Sequence, residues 1–287
     1  MKLLMVSLML AVFTVVGTLN GETIFETFDS DPLANGWTED ENETGSSFTY
    51  QNDLTTGYVG GGYLEVFMQR NPNTDRFTTS LSQTYTQGQE FWIEFDSSTQ
   101  AHYQYQRGLF GVFNSASDNS TNVIADNFWR QKTSSSSSNF AHRVQSYDSS
   151  GSSTIYTSDY VFVKNEPIRA KLHYYVDGSS NGIAEFQLWR LNEAGAADDV
   201  LLADATGANS AVILDAGNTL SFDVFGFGNN DGTLNTTYTQ RSWVDNLYFS
   251  TDGANTEYVD PAFAVPEPVS VLLFGLGSLT VLRLKKN

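Results

Sequence analysis

Hydrolysis of a glycosidic bond calls for two carboxyl groups facing the bond, one to give a proton and one to attack or activate water. The nearest candidate in this 287-residue sequence is Glu94-Phe95-Asp96. It is read with its carboxylates turned to opposite faces and without a downstream partner, and therefore as structural surface. Three histidines occur, His102, His142 and His173. His173, between Leu172 and Tyr174, is a candidate proton carrier, weighed against an ordinary edge or surface residue. Cysteine is absent, which excludes disulfides, thiolate metal sites and a cysteine nucleophile. There is no Gly-x-Ser-x-Gly elbow, His-Glu-x-x-His pair or phosphate loop. The expectation from motifs is a protein that is not an enzyme.

Binding chemistry is better represented. Phe, Trp and Tyr make up 14% of the chain, and most of them must fill a core. Trp92 and Trp189 fall at positions whose neighbours on the same face are polar. An aromatic ring there suits stacking on the apolar face of a sugar, while the neighbours supply hydrogen bonds. These two are the glycan-binding candidates. The competing reading is that loops cover the face and the rings are simply buried.

Such residues need strands to hold them. Short runs rich in Val, Ile, Phe, Tyr and Thr recur between Glu22 and Ala264, broken by Gly, Asn, Asp and Ser clusters. Strands are predicted at Thr23–Phe28, Ser47–Gln51, Tyr63–Met68, Ser80–Tyr85, Phe91–Ser97 and Gly108–Phe113. Further ones are predicted at Phe140–Tyr147, Ile155–Val163, Ile168–Val176, Ile183–Leu191, Thr219–Phe227 and Ser242–Phe249. Phe91, Ile93 and Phe95 share a face by period-two alternation, as do Ala184, Phe186 and Leu188. The segment Ala194–Asp204 is left open between a short helix and a hairpin loop. Many strands without alternating helices predict an all-β fold: a two-sheet antiparallel β-sandwich.

The two ends of the chain read differently from its body. Met1-Lys2 followed by the apolar run Leu3 to Val16 has the pattern of a secretory signal peptide. At the other end Val265-Pro266-Glu267-Pro268 precedes an uncharged run, Val269 to Leu282, and a basic tip of Arg283, Lys285 and Lys286. Such a run is short for the hydrocarbon core, and alone it would also fit a buried helix. Its position and the basic tip favour a single transmembrane helix with a cytoplasmic end. The predicted division is a signal peptide over 1–21, the sandwich over 22–262 and the tail over 263–287. The signal helix and the transmembrane helix thus flank the β-sandwich. A net charge of −18 argues against nucleic acid as a partner and fits divalent cations or neutral polymers.

Pro266, Glu267 and Pro268, with the apolar run and basic tip behind them, resemble the PEP-CTERM sorting signal of Gram-negative bacteria. The resemblance implies an exosortase-type processing enzyme as a partner, transient residence in the inner membrane, and export to the cell surface, outer membrane or extracellular matrix. It also implies association with exopolysaccharide.

Several phrases in the body resemble the concanavalin A-like jelly rolls of lectin, laminin G-like and glucanase domains. They are Phe25-Glu26-Thr27-Phe28-Asp29, then Trp37, Gly62-Tyr63-Leu64-Glu65-Val66, and Trp243-Val244-Asp245-Asn246-Leu247-Tyr248-Phe249. The resemblance implies a structural Ca²⁺ held by Glu26 or Asp29 from the opening segment and Asp245 from the closing strand, which are expected to be neighbours. Alginate lyases on a related fold use a Gln-x-His strand, a context that none of the three histidines shares. Taken together, the expectation is a secreted, exosortase-sorted matrix protein, a non-catalytic glycan-binding or structural module. The second reading is a divergent polysaccharide hydrolase or lyase on the same fold.

Overall fold

The computed structural model describes residues 21–40, 47–51, 62–70, 75–102, 108–130, 141–150, 153–157, 166–191, 199–229, 235–257 and 259. Residues 1–20 and 260–287 fall outside the described residues, and with them the signal helix, the Val265-Pro266-Glu267-Pro268 motif and the basic tip. Among the described residues no helix is long and apolar enough to cross a membrane.

Two antiparallel sheets form the body. The first runs, in spatial order, β13 (Val200–Ala205), β12 (Gly182–Arg190), β11 (Pro167–Val176), β6 (Phe91–His102), β16 (Asn235–Ser250), β4 (Tyr63–Arg70) and β3 (Ser47–Gln51). Two short strands join it from the side: β1 (Thr23–Glu26) on β16, and β14 (Ala211–Leu214) on β12. The second sheet runs β10 (Ser153–Thr157), β9 (Ala141–Tyr147), β8 (Val123–Arg130), β7 (Gly108–Phe113), β15 (Ser221–Asn229), β5 (Arg76–Thr86) and β2 (Trp37–Asp40). This is the jelly-roll sandwich the sequence predicts, and the first strand does pair with the last, Phe25 opposite Tyr248.

Alternation builds the core between the sheets. Phe91, Ile93 and Phe95 of β6 point inward with Leu172 and Tyr174 of β11 and Ala184, Phe186 and Leu188 of β12. They meet Phe110, Phe222, Phe225 and Phe227 from the second sheet. Phe95 touches Phe110 edge-on at 4.4 Å and Phe91 touches Phe222 at 5.4 Å. Each such ring contributes about 1.5–3 kcal/mol by leaving water, and with no disulfide this packing must hold the fold. Gly226 lets β15 and β5 approach, since a Cβ there would lie 2.2 Å from the Phe77 carbonyl oxygen.

Each predicted strand overlaps an observed one, but β2, β8, β13 and β14 were not anticipated. The open segment Ala194–Asp204 ends in strand β13, because Val200–Ala205 finds an edge to pair with on β12.

Alternation also decides what the outer face of the first sheet carries. Cross-strand register places His173 of β11 between Trp92 and Glu185, Lys171 between Glu94 and Gln187, and Arg169 between Asp96 and Trp189. Nine polar or aromatic side chains therefore share one face of three adjacent strands. Beside them, β16 breaks register between Asp245 and Tyr248, and Asn246 adopts φ 50°, a left-handed conformation that asparagine tolerates.

A histidine between two carboxylates on the outer sheet face

The Arg169 row is a closed knot. The guanidinium grips Asp96 in a two-pronged pair, Nε to Oδ1 at 2.6 Å and Nη2 to Oδ2 at 2.7 Å. Its Nε also lies 3.4 Å from Glu94 Oε1. The side-chain amide of Asn246, aimed by the β16 bulge, donates to Asp96 Oδ2 at 2.8 Å. Asp96 is fully buried. The separation of Glu94 and Asp96 onto opposite faces is thus corrected: residues two apart on a strand share a face, and both carboxylates reach Arg169. Neither is surface, since both are buried.

The Lys171 row is more open. Lys171 Nζ lies 3.1 Å from Glu94 Oε2 and is itself well exposed. Burial pushes the Glu94 carboxyl above its ordinary value of 4.5, against the opposing pull of Lys171 and Arg169.

In the third row His173 Nδ1 donates to Glu185 Oε2 at 2.9 Å, and Nε2 lies 2.8 Å from Glu90 Oε1. Trp92 stacks flat on the imidazole, with ring centres 4.6 Å apart and planes 5° off parallel. Tyr175 packs beside it at 5.0 Å. Glu185 also accepts the Gly207 N–H at 2.8 Å. Burial alone would raise the Glu185 carboxyl, but the His173 and Gly207 hydrogen bonds outweigh it and hold the group below its ordinary range. Glu90 is half exposed, so its contact with Nε2 is the more open of the two to water.

These rows open into a cavity of about 200 Å³, lined among others by Trp92, Glu94, Lys171, His173, Glu185 and Gln187. The arrangement offers a histidine oriented by one carboxylate, a lysine one step along the same strand, and an aromatic wall. Such a set can move a proton and stabilise negative charge beside it.

His173 therefore sits on a central strand, paired on both sides, and is not an edge residue. Trp92 and Trp189 do lie on the polar face, but both are half buried. Trp92 is occupied by His173. Trp189 has its indole nitrogen buried without a hydrogen-bond partner. Arg169, Lys171, Glu90, Glu185 and Gln187 were missed, although Arg169, Lys171 and His173 recur with period two in β11. His142 is elsewhere: buried between the sheets, it bonds to Asp126 beside Phe95 and Phe186.

The expected Ca²⁺ ligands, Glu26 or Asp29 with Asp245, each have hydrogen-bond partners of their own. Glu26, on the core side of β1, accepts the Phe28 N–H at 2.8 Å and the Trp37 indole N–H at 3.1 Å. Asp29 is exposed and takes the Thr27 hydroxyl. Asp245 stands opposite Asp96 in the β16–β6 register, hence on the outer face, and accepts the Asn246 N–H at 2.7 Å. Among the described residues no three His, Cys, Asp or Glu side chains are grouped to hold a metal ion. No step is derived through a cation.

No protein-family model matches the chain, and no curated protein matches it. Solved structures do resemble it. A marine PL-14 alginate lyase from Aplysia kurodai is 11% identical at a TM-score of 0.44, covering 74% of this chain and 89% of its own. An endo-β-1,4-glucuronan lyase from the fungus Trichoderma reesei is 12% identical at 0.44, covering 80% and 99%. The cellulose-induced protein Cip1 is 11% identical at 0.46, covering 82% and 100%. At these identities the likeness is one of fold. Two of these three structures are named as polysaccharide lyases, which stands against the expectation of a non-catalytic glycan-binding or structural module.

Proposed function

We propose that the chain is a polysaccharide lyase that cleaves beside a carboxylated sugar, working from the outer face of the first sheet. The observation that carries this reading is His173, oriented by Glu185 through Nδ1 with Lys171 next along β11 on the same face.

Hydrolysis fits the face less well. It needs two carboxyl groups opposed across an open gap, but Glu94 and Glu185 lie on strands either side of β11, each held by a β11 side chain. Elimination instead needs one base and a nearby cation. In the proposed step Glu90 first withdraws with the Nε2 hydrogen, and the freed His173 Nε2 takes the proton from the carbon next to the sugar carboxylate. The electrons of that C–H bond form the C4=C5 double bond, and the C4–O4 bond breaks. Lys171 offsets the charge that builds on the carboxylate during proton removal. The proton for the departing O4 comes from solvent water at the cleft. Trp92 holds the imidazole plane and walls the cavity.

Activity of this kind leaves a conjugated unsaturated uronate that absorbs in the near ultraviolet. New reducing ends with that absorbance support a lyase; reducing ends without it mean hydrolysis and overturn the reading.

The address is proposed from sequence alone. The signal-like start and the Pro266-Glu267-Pro268 tail direct the enzyme through the inner membrane to the surface or matrix, where acidic exopolysaccharide would be met. Mass spectrometry of the mature protein should show the C-terminal run removed, and an intact Asn287 would contradict it.

A further inference from the structure

The chain does not leave the sandwich at the end of β16. It turns back over the outer face of the first sheet, with hydrogen bonds at Thr251, Gly253 and Val259. The Thr251 N–H donates to the Glu22 carbonyl at 2.9 Å. The Tyr248 hydroxyl donates to the Gly253 carbonyl at 2.8 Å. At the far end Arg169 Nη2 and Asn246 Nδ2 both reach the Val259 carbonyl, at 2.9 and 3.4 Å. Register fixes the direction of travel. Ser250 stands opposite Trp92, in the His173 row, whereas Val259 is held by the Arg169 row. The segment therefore runs back past all three rows on the β16 side. Ala254 and Asn255 line the same cavity as Trp92, Glu94 and His173, and Thr206 lines it as well.

Asn255 is the residue of this segment equipped to read a ligand. Its side-chain oxygen is used locally, accepting the Glu257 N–H at 3.0 Å. That bond fixes the orientation of the amide, and its NH₂ group, two donors, has no partner among the described residues. A fixed donor at a cavity wall can bond a sugar hydroxyl or carboxylate oxygen with little ordering cost.

We propose that residues 251–257, with Val259, form a strap that is one wall of the saccharide cleft, and that Asn255 is a specificity-determining contact donating to a bound acidic sugar. This rests on the reading of the face as a polysaccharide site. The knot of Arg169, Asp96 and Asn246 then has a second role: it pins the strap, and so sets the width of the cleft above His173.

The test is calorimetric titration of the whole protein and of the Asn255→Ala variant with tetrasaccharides of alginate and glucuronan, with turnover measured in parallel. The melting temperature of the variant should match wild type, because an exposed-side hydrogen bond is removed and no core atom. Binding by Asn255→Ala should weaken about fivefold, the size of one neutral hydrogen bond, with KM rising alike and kcat within twofold. Binding that is identical in the two proteins overturns the strap as a sugar contact, whatever the turnover. Asn255-dependent binding without any cleavage supports the strap and overturns the lyase reading. No binding by the wild-type protein overturns both.

Discussion

His173 and Glu185 face each other across β11 and β12 with an Nδ1–Oε2 separation of 2.9 Å. An ionised carboxylate can only accept, so Nδ1 carries a hydrogen toward Glu185, and Nε2 becomes the proton-accepting nitrogen once Glu90 has withdrawn with the Nε2 hydrogen. His173→Gln should lower kcat by about 10²–10⁴-fold, the range for a lost general base, while the melting temperature changes little. Glu185→Gln should also lower kcat, with KM nearly unchanged, since it orients the base and does not hold the sugar. Steady-state kinetics on an active polysaccharide checks both.

A second expectation concerns pH. The Glu94 carboxyl is raised by burial, so its contribution to stability is complete below the ordinary 4.5 and is lost as pH climbs through the higher folded value. Glu185 is lowered and works in the opposite sense: its contribution is present above 4.5 and lost as pH falls below it. The Glu94→Gln variant should therefore lose less stability than wild type between pH 4.5 and neutrality. Parallel melting curves across that range would show that Glu94 carries no such linkage.

The Arg169–Asp96 pair should behave as architecture. Arg169→Met leaves a fully buried carboxylate without its cation, which costs about 3–5 kcal/mol. The double change Arg169→Met, Asp96→Leu should recover part of that loss, because it removes the stranded charge. Chemical denaturation of the single and double variants distinguishes this from a purely steric effect, in which the double change would be the worse one.

Ionic strength gives an independent handle. A chain of net charge −18 repels a polyuronate at long range, and salt screens that repulsion. The value of kcat/KM should therefore rise from low to physiological salt, carried mostly by KM. A fall with salt would point to an attractive basic surface that the described residues do not display.

The sandwich was legible because its signal is local. Phe91-Ile93-Phe95 alternates within one strand, and Gly88 marks the turn before it. The site was less legible because its contacts are not local. His173 meets Glu90 across 83 residues, and Arg169 meets Asp96 across 73, separations that register alone brings together. Part of the signal was nonetheless present. The period-two set Arg169, Lys171 and His173 marks one face of β11, and the same rule would have kept Glu94 and Asp96 together. The weak edge strands β13 and β14 were obscured because their pairing comes from β12 and not from their own composition.

The most direct test of the account is the mass of the products released from alginate and from glucuronan by the purified body. Elimination adds no water, so the new non-reducing ends should be lighter by one water than those of a hydrolytic digest, and His173→Gln should release none. Products carrying the added water, or equal release by wild type and His173→Gln, would contradict proton abstraction by His173 as the function of this face.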